Sequence, residues 1–147
     1  MIERLRQTYR HLRVAPDGVL AATLPPLARR VVDEMSTSDR RHALVTFAAL
    51  RDMGADEELR LAGALHDMGK PREARLWHRV AAVLSPSLSR RLGPAVLRAY
   101  VDHAGRGAAM ARELDLSPRV VRVIERHHLT PSDEDERRLH EAERVDA

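Results

Sequence analysis

The hydrophobic and polar positions of this chain repeat with helical spacing, and proline and glycine cut the repeats into segments. Apolar residues recur every three or four positions, and no stretch alternates long enough between apolar and polar residues to form a strand. The predicted helices cover residues 2–12, 25–35, 38–53, 56–69, 72–84, 94–103, a segment ending at 114, residues 117–128, and a last segment from 132. The pattern therefore predicts an all-α fold, a single-domain helical bundle of about 7–9 helices.

Local signals at the ends of these segments refine the prediction. Ser38 and Asp56 precede helical segments and are predicted N-caps. Residues 16–18, with the sequence Pro-Asp-Gly, are typical of a turn. Gly105 and Gly107 predict an interruption between two helices, because glycine is a poor helix former.

The composition fits one globular domain with a helical core. The chain has 147 residues, of which 44% are hydrophobic and 32% charged. These values are typical of a folded protein rather than a disordered one. Only 3% of the residues are aromatic, so the core must be built from Ala, Leu and Val. Such a core favours packed helices over a sheet.

The charge and cysteine content restrict the partners. The calculated pI is about 10.1 although the net charge is only +3, because 24 of the 25 basic residues are arginine, which scarcely titrates. The arginines are scattered among acids and aromatic residues are few, so small phosphorylated ligands are favoured over nucleic acid. Without cysteine, the chain has no disulfide and no thiolate metal site. Because no signal peptide or membrane span is apparent, a cytoplasmic protein with no membrane association is expected.

Five of the eight histidines lie on helical faces that are otherwise apolar. A single histidine on such a face is usually a hydrogen-bonded core residue. Five of them, joined by Asp67, need more polar partners than a core of Ala, Leu and Val supplies. A shared metal would satisfy all of these groups. The five histidines are His42, His66, His103, His127 and His128.

The three remaining histidines lie on other kinds of helical face. His11 and His140 fall on polar faces and are expected in solvent, and His78 has mixed neighbours.

The adjacent residues His66 and Asp67 would form a corner of this metal site. Adjacent residues in mid-helix point about 100° apart, so His66 and Asp67 can face one ligand only where a helix ends. Gly69 is predicted to mark that end. The pair would then form the corner of a metal site.

These motifs resemble those of the HD-domain metal-dependent phosphohydrolases. The stretch His66-Asp67-Met68-Gly69-Lys70 matches the HDxGK pattern, 24 residues after His42. The stretch HAGRG at 103–107 is similar to the HPxxG element of members that hold two metals, and His127-His128 is similar to their HH pair. The resemblance covers about residues 36–147 and leaves 1–35 as N-terminal helices that pack on this core.

The resemblance also implies which residues bind metal. One ion would be held by His42, His66, Asp67 and Glu143. A second would be held by His103, His127 and His128, with Asp67 bridging the two ions. The chain departs from the family at the last ligand, where Ala142-Glu143 occupies the place of the usual Ala-Asp dipeptide. Glu143 would replace the aspartate, with Asp146 as an alternative.

The implied activity is hydrolysis of a phosphomonoester or phosphoanhydride, with a nucleotide as the expected substrate. Asp67 and Lys70 would be catalytic, and Lys70, Arg41 and Arg106 would contact the phosphate. Histidine and carboxylate ligands suit one or two ions of Mn, Fe, Co, Ni or Zn, with Mg as a further candidate. The alternative is a catalytically weak HD module that binds a nucleotide and acts in signalling. The sequence leaves the oligomeric state open.

Overall fold

The computed structural model describes residues 17–145 and contains only helices, turns and loops in that range. The all-α prediction is confirmed. None of the helices in this range combines the length and the apolar character that a bilayer span requires. The helices are α1 Asp17–Ala22, α2 Pro26–Glu34, α3 Thr37–Asp52, α4 Glu57–Leu65, α5 Leu76–Leu84, α6 Pro86–Leu92, α7 Ala95–Val101, α8 His103–Glu113, α9 Pro118–Arg126 and α10 Glu134–Glu143.

Residues 17–145 thus contain ten helices, more than the predicted 7–9. The predicted turn at 16–18 is wrong from residue 17, where α1 begins. Helix α6 is absent from the prediction because its first residue is Pro86, and proline is favoured at the start of a helix as well as after its end. The predicted helix over residues 2–12, His11 and Asp146 lie outside the described residues.

The predicted interruption at Gly105 and Gly107 is also wrong. Both glycines lie inside α8, and the break falls earlier, at Asp102. A glycine inside a helix costs only about 1 kcal/mol relative to alanine, so a packed helix can contain two of them. Gly107 is itself buried in this packing.

Side chains from the preceding loops cap the starts of α3 and α4. Asp56 caps α4 as predicted, because its carboxylate accepts a hydrogen bond from the Leu59 backbone N–H at 3.0 Å. Helix α3 is capped by Ser36 and not by the predicted Ser38, since the Ser36 hydroxyl accepts from the Asp39 N–H at 3.2 Å. This shift of two residues brings Asp39 into the first turn of α3.

The core consists of aliphatic side chains from the central helices, as the composition predicted. Its largest fully buried members include Leu44 and Leu50 of α3, Leu65 of α4 and Ile124 of α9. Helix α3 packs on α4 and α10, and α9 packs on α4 and α8. Helices α5, α6 and α7 pack against one another. Most of the predicted metal ligands lie just after the ends of α4, α7 and α9, whereas His42 lies within α3 and Glu143 ends α10.

Candidate metal centre

Three of the predicted ligands are oriented in the same way at the ends of three helices. His66, His103 and His127 follow α4, α7 and α9, and each ring reaches back to the backbone carbonyl three residues earlier. The distances from Nδ1 to the carbonyl oxygen are 2.8 Å for His66 to Gly63, 2.6 Å for His103 to Tyr100 and 2.7 Å for His127 to Ile124. The last carbonyls of a helix lack a partner inside it, so each imidazole satisfies one of them.

This contact fixes the proton on each neutral ring. A carbonyl oxygen can only accept, so Nδ1 must donate, and Nε2 then carries the lone pair. Among residues 17–145, Nε2 of His66 and Nε2 of His127 are buried without a hydrogen-bond partner, as is Oδ1 of Asp67. Because buried polar atoms in proteins are normally paired, these atoms point to a missing ligand. A divalent metal fits, since it accepts lone pairs from neutral imidazoles and carboxylates.

Asp67 lies between these donors, and each of its two carboxylate oxygens faces a different pair of histidines. Oδ2 is 3.4 Å from Nε2 of His66 and 3.9 Å from Nε2 of His42. Oδ1 is 3.2 Å from Nε2 of His103 and 3.7 Å from Nε2 of His127. The carboxylate is 2% exposed. Asp67 is therefore in the position of a bridge between two groups of histidines.

The donor atoms form two groups in which every pair of atoms is within 4.8 Å. The first group consists of His42, His66 and Asp67, and the second of His103, His127 and His128. His128 belongs to the second group although it is exposed, because its Nε2 lies 2.8 Å from Nε2 of His103. The structure thus brings together all five histidines that the sequence singled out.

The charged groups of the centre shift one another's pKa values. Burial alone would raise the pKa of Asp67. The adjacent imidazoles, among which His66 has the largest effect, and the Lys70 ammonium instead hold this pKa well below its ordinary range. Burial would lower the pKa of His66, but the carboxylates of Asp67 and Glu143 raise it. Loss of water around the ring, followed by the neighbouring imidazoles, lowers the pKa of His128 to about 3. Asp67 is therefore ionised and His128 neutral, which are the forms that bind metal.

Two glycines allow the turn after α4 to approach α8. A Cβ on Gly69 would lie 2.0 Å from the carbonyl oxygen of His103 and 2.5 Å from the backbone nitrogen of Gly107. A Cβ on Gly107 would meet the Ile124 side chain at 3.1 Å and the Gly69 nitrogen at 3.4 Å. This contact places Asp67, two residues before Gly69, against His103. Gly69 therefore serves as a close-packing residue, whereas α4 already ends at Leu65 and not at the predicted Gly69.

Glu143, the predicted last ligand, lies at the end of α10 beside the first donor group. Its Oε1 is 3.2 Å from Nε2 of His66, and its side chain is 23% exposed. Burial would raise the pKa of Glu143, but the nearby His66 lowers it. The carboxylate is thus ionised and faces the same imidazole nitrogen as Asp67. Its role as a ligand stays a prediction.

We expect Glu143→Gln to weaken metal binding by about tenfold or more, because the amide keeps the shape of the side chain but removes its charge. Competition with a chromophoric chelator would measure the affinity. Glu141→Gln, a change in the same helix, is the matched control, and Asp146→Asn should also bind metal normally. Wild-type affinity in Glu143→Gln would contradict the assignment of Glu143 as a ligand.

The structure places the three predicted phosphate contacts on or next to the segments that carry metal ligands. Nζ of Lys70 is 2.5 Å from Oδ2 of Asp67, and its side chain is 13% exposed. Arg41 is half-buried on α3 directly before His42, and Arg106 is exposed on α8, one turn after His103. Lys70 therefore contacts the centre directly, and the phosphate roles of Lys70, Arg41 and Arg106 all stay predictions.

Two side chains missed by the sequence analysis hold the turn that carries His127 and His128. Nε2 of His140 donates to the carbonyl oxygen of His127 at 2.6 Å, so the expectation that His140 is solvated is wrong. Glu136 is 1% exposed and accepts from the backbone N–H of Ser132 at 2.7 Å and from Arg126 at 2.8 Å. Both contacts bridge loop and helix residues, and helical faces alone do not reveal them.

Other residues near the centre also escaped the sequence analysis. Asp39 and Arg79 form an ion pair at 3.1 Å next to Lys70. A signal for Asp39 existed, because it precedes His42 by one helical turn and so shares its face. His78 is buried and accepts a hydrogen bond from the Arg75 N–H at 2.8 Å, a contact at the start of α5.

Comparison with known proteins supports the resemblance drawn from the motifs. A family model described as HD domain matches residues 40–147. This range contains every predicted metal ligand and Lys70. The comparisons with curated proteins and with solved structures gave no match. Because the family model covers well over half of the sequence, the chain belongs to the HD-domain family.

Proposed function

We propose that this chain is a metal-dependent phosphohydrolase that acts on a phosphomonoester or a phosphoanhydride, with a nucleotide as the expected substrate. The observation that carries the proposal is the orientation of three imidazoles by backbone carbonyls, which leaves their Nε2 atoms directed at the two oxygens of Asp67. The HD-domain family supports the same class of hydrolase.

The donor set fits one or two ions of Mn, Fe, Co, Ni or Zn, with Mg as a further candidate. His42, His66, Asp67 and Glu143 would hold the first ion, and His103, His127 and His128 the second, with Asp67 shared. Divalent ions bound there would polarise a phosphoryl group and make water a stronger nucleophile at neutral pH. The carbonyl contacts keep the rings fixed, so few side-chain movements accompany binding.

The chain's own cations would bind and orient the phosphate. Lys70 lies next to Asp67, so its ammonium is positioned to contact a phosphoryl oxygen beside the carboxylate. Arg41 and Arg106 flank His42 and His103 and would add contacts on either side. Guanidinium groups suit this role because they donate two parallel hydrogen bonds to phosphate.

A second candidate function is nucleotide binding for signalling with little catalysis. Glu143 favours it, because a glutamate stands where the family usually has an aspartate and its side chain is 23% exposed. The longer side chain would change how the first ion is held. Under this alternative, the metal and the phosphate would still bind, but turnover would be slow.

Metal analysis followed by an activity screen tests the proposal. Protein purified without chelators is expected to contain about one or two equivalents of a transition metal, and reconstituted protein should release phosphate from at least one substrate in a nucleotide and monoester panel. Removing the metal should lower the melting temperature by several degrees, because the ion binds the native state. Protein that takes up no metal would refute the proposal. Metal and nucleotide binding without phosphate release would favour the signalling function.

A further inference from the structure

A second polar cluster lies directly beside the metal centre and is built around Asp39. This residue is 4% exposed in the first turn of α3. Its Oδ2 accepts a hydrogen bond from the Ser36 hydroxyl at 2.5 Å, and both carboxylate oxygens lie 3.1 Å from Nη2 of Arg79. Oδ1 is also 3.8 Å from Nζ of Lys70. The contacts therefore run in an unbroken series from Asp67 through Lys70 and Asp39 to Arg79.

Arg79 is anchored on one edge and open on the other. Only its Nη2 takes part in the pair with Asp39, and within residues 17–145 its Nε and Nη1 donate no hydrogen bond. The side chain is 29% exposed. Its guanidinium carbon lies 5.9 Å from the centre of the Tyr100 ring, and Nζ of Lys70 lies 5.7 Å from the same ring. The side chains of Lys70 and Arg79 thus both lie near the Tyr100 ring, and Arg79 keeps hydrogen-bond donors that a ligand could use.

The balance of charge in this cluster favours an anion. Lys70 lies between two carboxylates, Asp67 at 2.5 Å and Asp39 at 3.8 Å. When Asp67 serves as a metal ligand, Asp39 is the remaining buried carboxylate in contact with both Lys70 and Arg79. One negative charge then faces two positive charges. The excess positive charge lies beside the metal centre in a partly desolvated place, where attraction to an anion is stronger than in water.

We propose that Arg79, held in place by Asp39, forms beside Lys70 a subsite for a second phosphate group of the substrate. The inference rests on the proposed function and narrows it to compounds with two adjacent phosphates. Lys70 contacts Asp67 and so serves the phosphate at the metal centre. Arg79 is one contact further away, where the neighbouring phosphate of a diphosphate would lie. Its open edge offers the paired donors that suit a phosphate.

A purely structural role makes a different prediction. The pair between Arg79 and Asp39 also joins α5 to α3, and its loss would then affect only the stability of the fold. An anion subsite instead predicts a selective loss of affinity for a ligand with two phosphates. The two roles are therefore separated by comparing ligands with one and with two phosphates on the same variant.

The experiment uses metal-loaded full-length protein, inorganic phosphate and the non-hydrolysable methylenediphosphonate, with calorimetry as the measurement. Arg79→Gln is expected to weaken methylenediphosphonate binding by about 10-fold or more, since hydrogen bonds to charged groups have this strength. Binding of inorganic phosphate should change by less than about twofold, and metal content should stay the same. Arg79→Lys keeps the charge and should recover part of the affinity. Arg90→Gln is the matched control, because Arg90 of α6 pairs with the exposed Asp102.

Asp39 is a positioning residue in this proposal, so Asp39→Asn should also weaken methylenediphosphonate binding selectively. Equal losses for both ligands, or unchanged binding of methylenediphosphonate in Arg79→Gln and Arg79→Lys, would overturn the subsite. The subsite is also refuted if wild-type protein binds methylenediphosphonate no more tightly than phosphate. A selective loss in protein that hydrolyses no substrate would support the subsite and refute the proposed hydrolysis, so the two failures are distinguishable.

Discussion

Replacing Asp67 by asparagine is expected to eliminate metal binding and phosphate release together. The amide has nearly the same shape, but it removes the negative charge and replaces one oxygen with a group that cannot bind metal. Both oxygens of Asp67 face histidine nitrogens. Whichever way the amide is oriented, its NH2 group therefore replaces the oxygen that faces one of the two groups of histidines. Replacing a residue that only hydrogen-bonds to a metal ligand already lowers metal affinity by about 10–100-fold. We therefore expect Asp67→Asn, which changes a ligand itself, to lower metal affinity by more than about 100-fold.

Two other variants show whether this loss is specific. Asp52→Asn changes an exposed aspartate on α3 that pairs with Arg51 and should behave like the wild type. Lys70→Ala should keep its metal and lose substrate binding or turnover, since Lys70 contacts Asp67 without being a ligand. Metal content, melting temperature and phosphate release would be measured for each variant. Full metal content in a folded Asp67→Asn protein would contradict the assignment of the bridge.

The second large effect is expected from Gly69→Ala, which adds a single methyl group. The new Cβ would lie 2.0 Å from the His103 carbonyl oxygen and 2.5 Å from the Gly107 nitrogen. Both are backbone atoms, so the clash cannot be relieved by turning a side chain. The turn at 66–70 must move away from α8, which separates Asp67 from His103. We expect a loss of about 1–3 kcal/mol in the free energy of unfolding, with weaker metal binding.

Gly105→Ala provides the matched control for this substitution. A Cβ there meets no atom of residues 17–145 within 4 Å, and Gly105 lies inside the same helix, α8, that Gly69 approaches. Alanine at such a helical position stabilises a protein by about 0.5–1 kcal/mol. Urea denaturation of both variants would measure the two effects, which have opposite signs. Equal stability of Gly69→Ala and the wild type would rule out the close-packing role.

The sequence predicted the helical fold and the histidines because both depend on local spacing. His66 and His127 follow apolar residues at three- and four-residue intervals, and this pattern places them on inward faces whatever the tertiary structure is. The resemblance to HD-domain proteins added Glu143, which lies on a mostly polar helix where spacing alone gives little indication. The helical faces alone predicted a shared metal for the five histidines and Asp67, and the resemblance assigned them to two ions.

The cluster around Asp39 could not be predicted in the same way. Asp39 and Arg79 are 40 residues apart, and their pairing depends on how α5 packs against the rest of the molecule. Arg79 looks like an ordinary surface charge in its own segment, and the position of Asp39 on the face of His42 does not show that the two residues pair. The contact of Gly69 with α8 is likewise a property of two backbones, and a sequence of side chains does not show how closely two backbones approach. The start of α6 at Pro86 was ambiguous because proline both ends and begins helices.

The contacts of three imidazoles with main-chain carbonyls have a consequence for how this protein can evolve. Every amino acid supplies a carbonyl, so the hydrogen bonds that orient His66, His103 and His127 need no particular functional group at positions 63, 100 and 124, although a side chain at 63 would have to displace Leu50. Substitutions around the centre can alter what it recognises while the rings stay aligned. Insertions and deletions that move the end of a helix would be the damaging events. The orientation of the metal-binding rings can therefore be kept during evolution while the side chains of the surrounding surface change.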